Sequence, residues 1–198
     1  MSAFGFKSMY FILKIRDAFL RPRKILNKIE GIGNGVSILD YGCGPGSFTM
    51  AAAEMVGKDG TVIAADIHPL AIKQIQKSAS KKGLKNIKTI LTGSNTGLPD
   101  SSIDIILLYY VLHDFHNPYG IIRELYRVLK SDGILTVIDH KLRDQEVNAL
   151  LTKSSSTFEF RNKINGKILV FVKNNCKPRL IGQLRNVRLP ILWHEQHQ

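Results

Sequence analysis

From Val36 to Asp139, short apolar runs alternate with stretches of helical period, and this rhythm restricts the fold more than any other feature. VSILD (36–40) and TVIAAD (61–66) read as buried strands, with SFTMAAAEMVG (47–57) between them as a helix. PLAIKQIQKSASKKG (69–83) has Pro in its first turn and Gly at its end, the usual asymmetry of a helix. IKTILTG (87–93), IDIILLYYVL (103–112) and GILTVID (133–139) complete five strands, and PYGIIRELYRVLK (118–130) supplies a further helix. The run at 103–112 is apolar throughout, as expected of a central strand covered on both faces. Ser47 and Asn117 are the expected helix caps. Such a βαβ succession predicts a parallel sheet with helices on both faces. Beyond it, residues 143–155 suggest a weak helix, and TFEFRNKI and KILVFVK flank Asn165-Gly166, a strong hairpin signal. The sheet is therefore expected to finish with an antiparallel pair.

At 198 residues the chain is long enough for one domain with a sizeable core. Its apolar runs are strand-sized, so no membrane span is expected, and the N-terminus makes a poor secretory signal. Cys43 and Cys176 are the only cysteines, too few for a disulfide framework or a four-cysteine zinc site. These features predict a reduced, cytoplasmic protein. The net charge of +12 sits at the ends. Residues 1–30 hold seven Lys/Arg against two Asp/Glu, residues 31–140 ten against ten, and residues 141–198 eleven against four. A nucleic acid or an anionic membrane surface could partner such basic ends, and a solvated surface is the plain alternative.

The turn after the first strand, ILDYGCGPGSFT (38–49), carries Gly42, Gly44 and Gly46. A dinucleotide fingerprint places its third glycine where Ser47 stands here. Asp40 precedes the turn; a carboxylate there repels a pyrophosphate but attracts an ammonium group. Asp66 ends the second strand twenty residues after Gly46, where an acid can accept both ribose hydroxyls. The combination suits S-adenosylmethionine better than a dinucleotide.

With LDYGCGPG (39–46), AADIHP (64–69), LPDSSIDIILLYYVLHDFHNP (98–118) and LYRVLKSDGILTVIDH (125–140), the chain resembles the class I S-adenosylmethionine-dependent methyltransferases of small-molecule type. The resemblance covers roughly residues 36–173. It implies a Rossmann-like α/β fold with a seven-stranded sheet in the order 3-2-1-4-5-7-6, the last strand antiparallel, and helices on both faces. It also implies S-adenosylmethionine as cofactor and S-adenosylhomocysteine as product. Asp40, Gly42, Gly44 and Gly46 would surround the methionine end, Asp66 the ribose, and Ile67 the adenine. The family usually carries an acid after the third strand; here the triplet is Gly93-Ser94-Asn95, so Ser94 and Asn95 would meet the adenine edge without a full charge. The expected organisation is an amphipathic lid segment (1–30), the methyltransferase domain (31–173) and a basic tail (174–198).

Catalytic groups belong at the carboxyl ends of strands four and five. His113, leaving the fourth strand, is the first candidate general base; His140 and Asp114 follow. A mixed metal site of His113, His116, Asp114 and Asp139 is conceivable, but strand-end spacing fixes no ligand geometry, and no metal is expected. Asn117-Pro118-Tyr119 is similar to an amino-methyltransferase signature but lacks its second proline and reads better as a helix start. The segment Phe4 to Phe19, with Tyr109, Tyr110, Phe115 and Tyr119, would line or cover an acceptor pocket. Such a lining suggests a small, partly apolar acceptor. The alternatives are an RNA or protein methyltransferase, prompted by the basic ends, and a module that binds S-adenosylmethionine without turnover.

Overall fold

The structure, a computed structural model, describes residues 21–153 and 158–174. The expected lid residues Phe4 to Phe19 and most of the tail lie outside the described residues. In chain order the elements are α1 (Pro22–Leu26), β1 (Ser37–Tyr41), α2 (Ser47–Val56), β2 (Thr61–Asp66), α3 (Pro69–Lys82) and β3 (Ile87–Leu91). There follow β4 (Ile103–Tyr109), a 3₁₀ turn (Leu112–Asp114), α4 (Pro118–Val128), β5 (Leu129–Ile138), α5 (Asp144–Thr152), β6 (Phe158–Ile164) and β7 (Ile168–Lys173).

The seven strands form one sheet in the order β3-β2-β1-β4-β5-β7-β6. The first five run parallel, and β7 is antiparallel to both β5 and β6. Burial follows the alternation of side chains along each strand. Leu39, Tyr41, Ile63 and Ala65 face α4 and α5, where Leu125, Val128 and Leu151 are fully buried. Ile38, Val62, Leu107 and Tyr109 face α1 and α2. Both Leu107 and Leu108 are inaccessible, as the uninterrupted apolar run of β4 requires; each contributes roughly 1.5–3 kcal/mol of burial. Among the described residues no helix is long and apolar enough to cross a membrane.

Several local expectations need correction. Ser47 is the first residue of α2 rather than its cap; Gly46 holds the cap position, with a left-handed φ of 80°. Asn117 is at the cap of α4, but its side chain makes no capping bond. That helix ends at Val128, two residues early, because β5 begins at Leu129 and bulges against β4 between Ile103 and Ile105. β4 ends at Tyr109 rather than at 112 because Tyr110 turns into the left-handed region. In the described part of the expected lid, Leu26 and Ile29 are buried against Ile38, Phe48 and Val56, so this part belongs to the core.

One polar contact fixes the loop between β3 and β4. Glu124 of α4, buried, accepts bonds from the Thr96 N–H at 2.8 Å and the Thr96 hydroxyl at 2.5 Å. Arg127 grips the same carboxylate through Nε and Nη2, each at 2.8 Å. The hydrogen bonds from Arg127, joined by those from Thr96, outweigh the cost of burial and hold the Glu124 carboxyl at about 2. A carboxyl lowered in the fold stabilises it above its unfolded pKa and loses that contribution as the pH falls toward the folded value. The Glu124→Gln protein should be less stable than wild type at pH 7 by on the order of 3 kcal/mol. Urea titrations should show that gap narrowing as the pH drops below about 4.5; a constant gap would place the effect in packing rather than ionisation.

Candidate active site at the carboxyl ends of the strands

The glycine turn follows directly from β1. Gly42 and Cys43 both donate to the Ala65 carbonyl, at 2.8 and 3.1 Å, which folds the turn over the end of β2. A Cβ on Gly42 would lie 2.5 Å from Val111, and one on Gly46 would lie 2.6 Å from Ile75. Packing therefore demands glycine at both positions, on top of their positive φ angles of 75° and 80°. At Gly44 a Cβ would meet nothing within 4 Å, so the middle of the turn opens onto the crevice.

The two acids flanking the turn occupy different settings. Asp40 is 3% exposed and accepts the Thr49 hydroxyl at 2.5 Å, which locks α2 onto β1 from beneath the turn. Asp66 is half-buried; its two oxygens accept the Gly44 N–H at 2.9 Å and the His68 N–H at 2.8 Å. Each carboxylate oxygen retains capacity for a further donor. Ile67, 75% exposed, lies beside Gly93, where an added Cβ would be 3.1 Å from its Cδ1. Ser94 and Asn95 are exposed at the same rim, and Asn95 uses its side-chain oxygen on the Gly97 N–H. Cys43 is buried, and burial, reinforced by Asp40 and Asp66, raises its thiol well above the ordinary value, as suits a packing residue.

Tyr41 points into the core on the opposite face of β1. Its hydroxyl is the one buried side-chain polar atom without a hydrogen-bond partner among the described residues. Burial, then the nearby charges of Glu124 and Asp66, push this phenol up to about 12, so it stays neutral.

The ends of β4 and β5 bring the catalytic candidates together. His113 is not on the strand itself but in the 3₁₀ turn behind Tyr110 and Val111. Its Nδ1 lies 2.9 and 2.8 Å from the two oxygens of Asp139, and the two side chains are 6% and 1% exposed. Asp139 also accepts the backbone N–H groups of Lys141 and Leu142. Burial alone would raise this carboxyl, but the bonds from His113 and the two amides prevail and hold it below its ordinary value. Asp114 Oδ1 lies 3.4 Å from His113 Nε2, and the His140 ring meets that of His113 edge-on at 5.0 Å. Tyr110 packs its ring at 5.7 Å on His140. His116 is exposed and contributes nothing to this cluster.

Sequence reasoning gave Asp139 no catalytic part, although its position at the end of a central strand, one residue before His140, was a usable signal. The strained Tyr110 and the Thr96–Glu124 anchor had no sequence signal. His113, Asp139 and His140 offer atoms within 4.8 Å of one another, a spacing that could admit a metal. The oxygens of Asp139 are already bonded to His113 and to two amides, an arrangement that orients an imidazole. Two cavities open at the opposite ends of the strands, one beside Lys58, Lys85 and Lys88, the other beside Asp104, Asp132 and Arg161. Neither includes the glycine turn or the histidines.

A family model described as a methyltransferase domain matches residues 32–186. The chain is 30% identical over 135 residues to a ubiquinone/menaquinone biosynthesis C-methyltransferase, UbiE, of Hydrogenovibrio crunogenus, covering 67% of this chain and 52% of that protein. It is 33% identical over 112 residues to the aklanonic acid methyltransferase DauC of a Streptomyces species, covering 56% of this chain and 50% of that one. The chain thus spans about half the length of the curated relatives it matches. Among solved structures, a SAM-dependent methyltransferase from Aquifex aeolicus aligns with a TM-score of 0.66 at 25% identity, over 77% of this chain and 88% of that one.

Two outcomes follow from the site's geometry. Tyr110 holds a φ of 60°, which costs a non-glycine residue about 1–2 kcal/mol. In urea unfolding, Tyr110→Gly should therefore be more stable than Tyr110→Ala by about 1 kcal/mol; equal stabilities would deny the strain. Ser94→Asp adds a charged acceptor at the rim expected to meet the adenine and should tighten S-adenosylmethionine binding roughly fivefold by calorimetry. No gain would remove Ser94 from the cofactor site.

Proposed function

The chain belongs to the methyltransferase domain family, the class I enzymes that draw on S-adenosylmethionine, and from that premise we propose that it methylates a small, partly apolar acceptor at the ends of β4 and β5. The observation that carries this reading is the His113–Asp139 pair, set two residues from the Val111 side chain that packs on Gly42. With that contact, the proposed proton acceptor would stand near the turn expected to hold the methyl donor. The relatives named for a quinone pathway and for aklanonic acid support a small organic acceptor. Cytoplasmic residence, with Cys43 as a free thiol, fits the same reading.

The residues present fit S-adenosylmethionine, since the crevice is open at Gly44 and an apolar side chain, Ile67, stands exposed beside it. Gly42, Gly44 and Gly46 would admit the methionine end, with Asp40 bracing the turn from below. Asp66 would accept the ribose hydroxyls, and Ile67, Ser94 and Asn95 would hold the adenine. When bound, the cofactor would supply an electrophilic methyl group on a sulfonium, whose sulfur would keep the C–S electron pair on transfer.

The chain's own contribution is orientation and a proton site. Holding the reactants in line is worth about 7–11 kcal/mol. In this scheme the Nδ1–H of His113 donates to Asp139, and Nε2 is the atom that takes the acceptor's proton as the new bond forms. Asp114, 3.4 Å from Nε2, then stabilises the imidazolium. Asp139 is a positioning residue in this scheme, and His140 with Tyr110 forms an aromatic wall beside the base.

The deciding experiment is transfer of label from S-adenosylmethionine into fractionated cell extract. Label in metabolites or extractable lipid supports the reading; label confined to RNA or protein, or none, overturns it. With the labelled acceptor in hand, His113→Ala should lower kcat by roughly 10²–10⁴-fold while leaving cofactor affinity unchanged. Asp139→Asn should lower kcat with little change in KM. Unchanged turnover of His113→Ala at saturating acceptor would remove the base.

A further inference from the structure

The balance of ten cationic and ten acidic residues in 31–140 conceals a separation of charge. Residues 67–99 contain Lys73, Lys77, Lys81, Lys82, Lys85 and Lys88 and no Asp, Glu, Arg, Phe, Tyr or Trp. All six lysines are exposed. Elsewhere in the domain several cations sit against carboxylates: Arg127 on Asp100 and Glu124, Lys130 on Asp104, Arg143 on Glu146. In this stretch only Lys82 has such a partner among the described residues, Glu54 at 2.6 Å.

The lysines share one edge of the molecule. Helix α3 buries Ala71, Ile72, Ile75 and Ala79 and turns Lys73, Gln76, Lys77, Ser80 and Lys81 outward. Lys73, Lys77 and Lys81 recur every four residues, a stripe about 12 Å long. Next to the helix, β3 is the outermost strand and pairs only with β2. Lys85 and Lys88 join Lys58 around the cavity at the foot of this edge. At its other end α3 begins immediately beyond Asp66 and the exposed Ile67, and β3 ends in Leu91, 57% exposed. The lysine face therefore runs from the rim of the crevice to the base of the sheet.

We propose that this face seats the domain on an anionic lipid surface. Clustered ammonium groups are drawn to the negative cytoplasmic leaflet, each contributing about a fivefold gain in partition. The composition favours lipid over RNA. Sequence-reading RNA surfaces stack bases on aromatic rings and grip phosphates with arginine forks, and this stretch has neither group. Lysine, a point charge on a flexible stem, suits an array of headgroups that presents no fixed geometry. Seated this way, the protein would bring the crevice rim at Ile67 and Leu91 close to the bilayer. That a bilayer-dissolved acceptor then has a short path to the site rests on the proposed acceptor class; the lipid binding itself does not.

The test uses the full chain and sedimentation with vesicles, without turnover. Wild type should bind vesicles of phosphatidylcholine mixed with phosphatidylglycerol, ignore pure phosphatidylcholine, and release as salt rises. The triple reversal Lys73→Glu, Lys77→Glu, Lys81→Glu should weaken partition by roughly 100-fold or more, with cofactor binding unchanged as the check on folding. A control reversing Lys153, Arg161 and Lys167, exposed on β6, its turn and the helix packed on it at the opposite edge of the sheet, should retain most of the binding. Equal loss in the control would show a mere net-charge effect and overturn the proposal. So would failure to bind the mixed vesicles, or tighter binding to poly(U) RNA than to those vesicles at the same salt.

Discussion

The close approach of Gly42 to Val111 joins the two halves of the site. A single Cβ on Gly42 would intrude to 2.5 Å, so only glycine lets the turn after β1 press against the end of β4. That contact sets how near the expected donor site comes to His113, because Val111 lies just before the 3₁₀ turn that carries it. The left-handed Tyr110 serves the same geometry. It stops β4 at Tyr109, bonds its N–H to the Ile138 carbonyl at 2.6 Å, and sends the chain across the top of the sheet. Strain of this kind persists only where surrounding structure over-determines it, and here a packed strand lies on one side and the His140 ring on the other.

Four carboxylates illustrate how the fold divides acids between support and contact. Asp40, Glu124 and Asp139 are each shielded from solvent in their side chains and each bonded to a specific partner: Thr49, Thr96 with Arg127, and His113. Burying a charge is costly unless it is paired and hydrogen-bonded, and these pairings meet that condition. Asp40 and Asp139 tie a helix or turn to a strand end, and Glu124 ties α4 to the loop before β4. Asp66 differs. It is half-buried, and its two oxygens accept backbone amides of the turn and of the start of the following helix, with capacity left for further donors.

The sheet was legible in the sequence because its signals are local. β2 falls at the residues read from TVIAAD, and the Asn165-Gly166 turn joins β6 to β7 as its dipeptide demands. The glycine turn and Asp66, expected to meet the donor, stood out in the sequence for a related reason: a turn following a strand, and an acid ending the next strand, keep fixed spacings along the chain. Boundaries were less legible where tertiary contacts overrule propensity. Leu129 and Lys130 continue a helical pattern, yet β4 recruits them into β5 through Ile103. Ser47 has the chemistry of a cap, but the glycine before it already provides the left-handed entry into α2.

The side-chain cluster proposed for the acceptor side was legible only in part, and the reason is physical. Its residues come from the ends of two strands separated by a whole helix, so no sequence spacing connects His113 to Asp139. Strand-end position named both histidines, but pairing depends on how far the chain travels after each strand. Tyr110 and the 3₁₀ turn set that distance for β4; the amides of Lys141 and Leu142, closing on Asp139, set it for β5. The same logic explains why the charge of the domain misled when summed. Cations and acids cancel along residues 31–140, yet the fold gathers the lysines of α3 and β3 on one edge while it pairs Lys58, Arg127 and Lys130 with carboxylates. Pairing is a property of neighbours in space, and for both the His113–Asp139 pair and the lysine edge only the folded chain supplies the neighbours.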